Sequence, residues 1–417
     1  MKRYPKYKDS GVKWIGEIPE HWEVRREKTL FYNLDYLREP ISAEKRSRKN
    51  PIYDYYGASG VIDTIDYYNV DDTVLLIGED GANLRMRNLP LIYKASGKFW
   101  VNNHAHILKP KDGVDYDYMY YALESTDYND FITGAAQPKL SQENLSKVKY
   151  PLPPQNEQQA IVAYLDDKVG KIDRYISEKE KEIVALDELK QATIANAVTR
   201  GLDPNAPLKD SGIKWIGNIP QHWEVKRLAM QFSENKTKNS DYEYQRACKF
   251  NYGRIVPKNE VGDVSELKET YIAYTKVKRN DIVINNLNLN YDFVSQRVAI
   301  VENDGIITSA YLTITPRKDV FASFYKWFFK AMDSKKLFHG MGTGIRLTLS
   351  YNELKKQQIL VPPIEEQQAI VDYINTKTAT IDQMKDGIKS EIEKLKEYKQ
   401  RLISDVVTGK VCVKGEK

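Results

Sequence analysis

Cysteine and histidine are scarce: two cysteines, Cys248 and Cys412, and five histidines stand among 417 residues. Two thiols supply no disulfide framework. With no Cys or His partner at ligand spacing, His104 and His106 read as a strand pair rather than a metal centre. Long hydrophobic runs are missing as well. No stretch reaches the roughly 20 apolar residues that span a bilayer, and the opening MKRYPKYKDSG has no signal-peptide core, so a cytoplasmic protein is expected. Charge of one sign is not in excess either. The 63 Lys and Arg against 58 Asp and Glu leave +5, so any basic surface for nucleic acid must be local. Catalytic signatures are absent. No GxxxxGK[ST] occurs, and no strand-turn-helix unit frames GMGTG at 340–344. The two proline pairs follow Leu152 and Val361, not the Asn or Asp that an adenine N6-methyltransferase site needs. Glu-x-Lys triplets such as Glu224-Val225-Lys226 arise freely in a chain with 29% charged residues.

What is present is present twice. KDSGVKWIGEIPEHWEV at 8–24 returns as KDSGIKWIGNIPQHWEV at 209–225, with three of seventeen positions changed. PPQNEQQAIVAYL at 153–165 returns as PPIEEQQAIVDYI at 362–374. The spacing between copies is far above that of a solenoid, so one large unit is duplicated. Trp14, Trp22, Trp215 and Trp223 are expected to anchor the first block by packing. Each proline pair precedes a proline-free run of roughly 40 residues, which as a helix is about 60 Å long. Leu165, Val169, Ile172, Ile176, Ile183 and Leu186 step by three or four in the first run, with Lys179 interrupting. Ile374, Ile381, Ile388, Ile392, Leu395 and Leu402 do so in the second. This is a heptad seam, and helices so long are not stable alone in water, so the two are expected to pack on each other.

The bodies between the shared blocks differ in sequence. Strand candidates are 55–63, 73–78 and 98–108 in the first and 281–285, 297–301 and 311–315 in the second. Helices are expected at 116–132 and around 320–336. GAAQPKLSQENL at 134–145 aligns with GMGTGIRLTLS at 340–350, Leu140 and Ser141 falling opposite Leu349 and Ser350. The expected divisions are 1–152, a helix at 153–200, a Pro- and Gly-containing linker at 201–212, 213–361, a helix at 362–409, and a tail at 410–417. A pseudo-two-fold would make the helices antiparallel and the chain a dumbbell.

Binding residues are better represented than catalytic ones. Lys45, Arg46, Arg48 and Lys49 form a basic run suited to phosphates. GEDGANLRMRN offers Asn83, Arg85 and Arg87 on a glycine-containing loop; Asn102, Asn103 and His104 follow, and Gln137 and Lys139 lie on another loop. In the second body the string 284–297 supplies Asn285, Asn286, Asn288, Asn290, Tyr291, Gln296 and Arg297, and Arg246, Lys249, Arg254 and Arg346 add charge. Asn and Gln pair with adenine edges and Arg forks onto guanine; Asn and Gly also serve turns.

The doubled WIGEIPEHWEV/WIGNIPQHWEV blocks, the doubled PPxxEQQAIV strings, the VTRG ending, GEDGANL and VNNHAHIL together resemble the specificity subunit of type I restriction-modification enzymes. The resemblance covers essentially the whole chain. It implies an α+β architecture: two mixed α/β target recognition domains, each reading half of a split double-stranded DNA site, spaced by two long helices in an antiparallel coiled coil. It further implies two methyltransferase subunits carrying S-adenosylmethionine and two restriction subunits using ATP and Mg, with no cofactor and no catalysis in this chain. NNLN stands in the second body where the first has GEDG, which implies half-sites of different sequence. The competing readings are a DNA-modifying enzyme acting alone and a coiled-coil adaptor with two protein-binding heads.

Overall fold

The computed structural model describes residues 3–46, 52–258, 264–291, 296–345 and 347–413. The chain divides into two units, Met1–Lys179 with Lys389–Lys417, and Glu180–Ile388.

In the first unit the run Val74-Leu75-Leu76-Ile77 is fully buried. Side chains alternate along a strand, and here they feed two cores: Leu75 and Ile77 join Tyr118, Met119 and Leu123 of the helix Tyr116–Ser125, while Val74 and Leu76 join Phe99, Val101 and Ile107. Their strand, Val70–Gly78, belongs to a six-stranded sheet. Its order is Phe31–Asn33, Ala105–Pro110, Val70–Gly78, Ile92–Val101, Tyr53–Gly57, Gly60–Ile65. Only Tyr53–Gly57 and Ile92–Val101 pair in parallel, Tyr55 lying opposite Trp100. The helix expected over 116–132 stops at Ser125, followed by a 3-10 turn at Asn129–Phe131. The hydroxyls of Ser125 and Thr126 both donate to the Ala122 carbonyl, at 3.1 and 2.7 Å, and compete with continued helix.

The second unit follows the same neighbour order with its long strands broken. One four-stranded sheet runs Phe232–Glu234, Leu312–Pro316, Ile282–Ile284, Val298–Ile300; the other runs Arg254–Pro257, Ala247–Asn251, Gly305–Ile307, Thr275–Val277. The parallel pair recurs, Ala247 lying opposite Ile306. Asn280, at φ +75°, separates Thr275–Val277 from Ile282–Ile284, a backbone region incompatible with a continuous pleat. The second-body strands appear where the sequence places them, and the helix near 320–336 is Ala322–Ser334.

Two long helices carry the doubled blocks, Gln155–Arg200 and Ile364–Val407. Each doubled tryptophan block grips the first turn of one of them. Trp22 Nε1 donates to Glu157 Oε2 at 3.0 Å, with His21 Nε2 at 2.7 Å from Oε1 and the Tyr4 hydroxyl at 3.1 Å from Oε2. Trp223 Nε1 donates to Glu366 at 2.8 Å, with His222 at 2.5 Å. Both indoles are fully buried, each removing roughly 150–250 Å² from water, worth about 4–6 kcal/mol before ordering costs. Gly409 at φ +73° ends one long helix against Trp22: a Cβ there would meet the Trp22 ring at 3.0 Å and Pro19 at 2.4 Å. Gly201, also at φ +73°, ends the other against Trp223.

Within each unit stretches of the two helices run antiparallel. In the first unit Leu165, Ile176, Ile392 and Leu402 are buried, and Val169, Ile172 and Leu395 half-buried; Lys399 pairs with Asp173 at 2.7 Å and Lys179 with Glu391 at 3.7 Å. In the second, Ile374, Ile381 and Ile388 are buried and Ile183 and Leu186 half-buried; Lys190 pairs with Asp382 at 2.6 Å and Lys385 with Asp187. Lys179, expected to interrupt the seam, instead continues its three-four spacing between Ile176 and Ile183. Its ammonium lies 5.4 Å from the Tyr175 ring centroid and reaches Glu391 on the facing helix.

Candidate nucleic-acid interface

In the first unit, backbone hydrogen bonds fasten three of the singled-out strings side by side. The chain leaves strand Val70–Gly78 as Glu79-Asp80-Gly81. Glu79 N donates to His104 O and Leu140 N donates to Glu79 O, both at 2.8 Å, and Gly81 N donates to Pro138 O at 3.0 Å. GEDG, NNH and QPKL thus share one surface, although some 60 residues separate the first string from the last.

Beneath that surface lies a buried charge network. His106 is fully buried, with Nε2 at 2.7 Å from the Leu140 carbonyl and Nδ1 at 2.6 Å from Asp35 Oδ2. A carbonyl only accepts, so Nε2 carries a proton. Burial disfavours the charged ring, yet the hydrogen bond and charge of Asp35 outweigh it and raise the His106 pKa. Burial likewise opposes ionisation of Asp35, and His106 outweighs it, holding that carboxyl below its usual range. The pair is imidazolium and carboxylate. Glu79 is ionised for the same kind of reason: burial opposes it, but Arg38, Lys139 and the charge of His106 prevail. Glu27, buried nearby, is pushed up to about 7 by burial.

The second unit arranges the matching place differently. Leu349 N donates to Asn286 O at 3.0 Å, as Leu140 N does to Glu79 O. The carbonyl of Leu349 is taken by the side-chain amide of Asn286 at 2.8 Å, whose oxygen accepts from Leu312 N at 3.1 Å. The Asn285–Asn288 turn is filled from inside by Arg297, whose guanidinium donates to the carbonyls of Asn285, Leu287 and Asn288 at 3.0, 2.7 and 3.1 Å. Thr343 and Thr348 exchange backbone bonds at 3.1 and 3.0 Å.

These contacts sort the expected DNA-facing residues. Lys45, Arg85, Asn103, His104, Gln137 and Lys139 are exposed in the first unit, and Arg246, Lys249, Arg254, Asn288, Asn290 and Gln296 in the second; Asn285 is half-buried. Six others have polar atoms engaged within the fold. Arg46 pairs with Asp63 at 2.7 Å and stacks on Tyr55. Asn83 closes its own loop through Leu89 and Pro90. Arg87 is bound to Glu124. Asn102 is buried and accepts from His104 N at 2.8 Å. Asn286 and Arg297 are buried in the bonds just described. Arg48, Lys49, Arg346 and the side chain of Tyr291 lie outside the described residues. His104 Nδ1 is 2.7 Å from Asp80, and among the described residues no cluster of metal-ligating side chains occurs. Sequence reasoning missed Asp35, Arg38 and the Glu157 and Glu366 clamps. The clamps had a readable signal, since His-Trp and Glu-Gln-Gln are kept in both copies.

Comparison with known proteins fits this layout. The family model described as type I restriction modification DNA specificity domain matches residues 19–184 and again 220–394. The chain belongs to this family. A putative type I restriction enzyme specificity subunit of Haemophilus influenzae is 24% identical over 89% of this chain and 92% of its own length. The EcoKI specificity subunit of Escherichia coli is 20% identical over 95% and 90%. In fold, the chain resembles one from a structure concerned with complex assembly and conformational transition of the type I R-M system, with TM-score 0.65, 13% identity, and coverage of 94% and 99%. Among the described residues no helix is long and apolar enough to cross a membrane.

Proposed function

We propose that the chain is the sequence-reading, non-catalytic subunit of a type I restriction-modification complex. Each unit reads one half of a split, asymmetric DNA site. The long helices, as an antiparallel coiled coil between internally duplicated halves, set the gap. Two methyltransferase subunits supply S-adenosylmethionine-dependent adenine methylation, and two restriction subunits supply ATP- and Mg-dependent cleavage. One observation carries this reading: at matching places in a shared topology the units present different exposed polar loops, Arg85, Asn103, Gln137 and Lys139 in one and Asn288, Asn290 and Gln296 in the other. A duplicated scaffold with unlike loops suits two unlike half-sites.

The test substitutes Gln137→Ala and Asn288→Ala separately in the assembled complex and maps methylated sites by sequencing. Each variant is expected to relax one position of a different half-site, by about 1–3 kcal/mol for a lost bidentate pair. Relaxation of the same half-site by both, or of neither, would overturn the assignment.

A further inference from the structure

A cleft of about 790 Å³ opens in the second unit beside its polar loop. Its walls include the hairpin tip Tyr252–Gly253–Arg254, Gln296, and Lys326, Trp327 and Lys330 of the helix Ala322–Ser334. Lys326 and Lys330 stand one helical turn apart and flank the Trp327 ring at 4.4 and 5.2 Å. A Cβ placed on Gly253 would lie 3.5 Å from Lys330 Nζ, so the ammonium ends beneath the hairpin. Like charges at this spacing on a helix oppose each other. Burial, together with Lys326, Lys190 and Arg254, pushes the Lys330 ammonium down to about 8.

Of the nearby carboxylates, Asp333 offsets the Lys330 charge in part through space, while its Oδ2 accepts from Arg297 N at 2.7 Å. Asp382 is held by Lys190 and Asp187 by Lys385. Glu302 is exposed and raises Lys326 only through space. Among the described residues Arg254, Lys326 and Lys330 have no ion pair, and the Trp327 indole N–H, on a residue only 8% exposed, has no acceptor. Three converging cations and an unanswered donor fit an anion.

We propose that Arg254, Lys326 and Lys330 form a cleft for a phosphate of the DNA backbone, which would seat the duplex against the polar loop of the second unit. The proposal rests on the DNA-specificity reading above. A phosphodiester is favoured over a protein carboxylate because Gln296 and Arg254, which border the cleft, belong to the exposed polar surface expected to meet DNA. Phosphate contacts fix position on the duplex without selecting sequence, and lysine serves them as a point charge.

The experiment uses the chain assembled with its methyltransferase partners and measures binding across a salt series to two duplexes, one with the mapped site and one without. R254Q/K326Q/K330Q is expected to flatten the dependence of log K on log salt by about 0.9 per lost contact, equally for both duplexes, with the preference between them unchanged. R254K/K326R/K330R should restore the slope, which separates lost charge from lost folding. Glu302→Gln should raise affinity for both duplexes. An unchanged slope in the Gln variant overturns the proposal. So does loss of partner assembly with the DNA slope intact, which would assign the cleft to a protein carboxylate. A parent complex with no salt-dependent binding to either duplex would overturn the DNA reading itself along with the cleft.

Discussion

The carbonyls of Leu140 and Leu349 occupy matching places in the two units and are satisfied by opposite kinds of chemistry. In the first unit the donor is a buried imidazolium, itself neutralised by Asp35 and surrounded by Glu79, Arg38 and Glu27. In the second it is the uncharged amide of Asn286. One hydrogen bond is needed to hold the loop. The charged solution makes the loop's scaffold depend on pH and on several distant partners; the amide solution needs one residue and no charge. The units thus differ in how costly and how titratable their scaffolds are, beyond differing in the residues they expose.

The largest effect expected from this contrast is on stability. His106→Ala removes the nearer of two cations from buried Asp35, leaving Arg38 at 3.4 Å, and also unpairs the Leu140 carbonyl; together these should cost about 3–5 kcal/mol. Asn286→Ala leaves a carbonyl and an N–H unanswered and should cost about 1–3 kcal/mol. Backbone hydrogen exchange, read separately in each unit, checks both; equal costs would break the comparison.

Titration should sharpen it. Glu27 binds its proton more tightly folded than unfolded, so its contribution falls as pH climbs from about 4.5 to about 7, by roughly 3 kcal/mol at most. His106, also raised, adds a loss in the same direction above its ordinary 6.5, whereas Asp35, lowered, loses its contribution only in acid below 3.8. Lys330 in the second unit is depressed to about 8 by burial and by Lys326, Lys190 and Arg254, partly offset by Asp333. It therefore opposes folding most below that pH, and the second unit should gain stability from about 8 toward 10.5. Glu27→Gln should remove much of the first unit's decline and leave the second unit unchanged.

The smallest effect concerns the clamps. Glu157 accepts from Tyr4, whereas Asn205 stands at the corresponding position of the second copy and, among the described residues, Glu366 has no tyrosine partner. Tyr4→Phe should lower the stability of the first unit alone by about 1 kcal/mol. An equal loss in the second unit, by hydrogen exchange, would show that the clamps are not independent.

Much of the scaffold was legible in the sequence because it rests on local rules. The proline pairs, the three-four apolar steps and the doubled blocks placed both long helices. The β-branched and apolar residues of 73–78 placed a strand there; its burial on both faces emerged only in the structure. The strings GEDG, NNH and QPKL stood out in the sequence, but nothing local said that they meet. The division within each string was not legible either. Lys45 is exposed while Arg46 is bound, Arg85 is exposed while Arg87 is bound, and Asn288 is exposed while Asn286 is buried. In each case the occupied side chain has found its partner well away in sequence: Asp63, Glu124 and Leu349.

By itself, the sequence determined the repeat, the long helices, several core strands and the family, because backbone geometry imposes periods of 3.6 and 2 on any apolar pattern that must be buried. Only the tertiary structure decided which polar residues face outward. A buried donor or acceptor left unanswered costs roughly 1–3 kcal/mol, so the fold takes the nearest Asn or Arg in space to answer it, and nearness in space is set by contacts spanning tens of residues. Asn286 and Asn288 have the same chemistry and stand two positions apart. The Leu349 carbonyl, 63 residues on from Asn286, claims that amide and leaves Asn288 exposed.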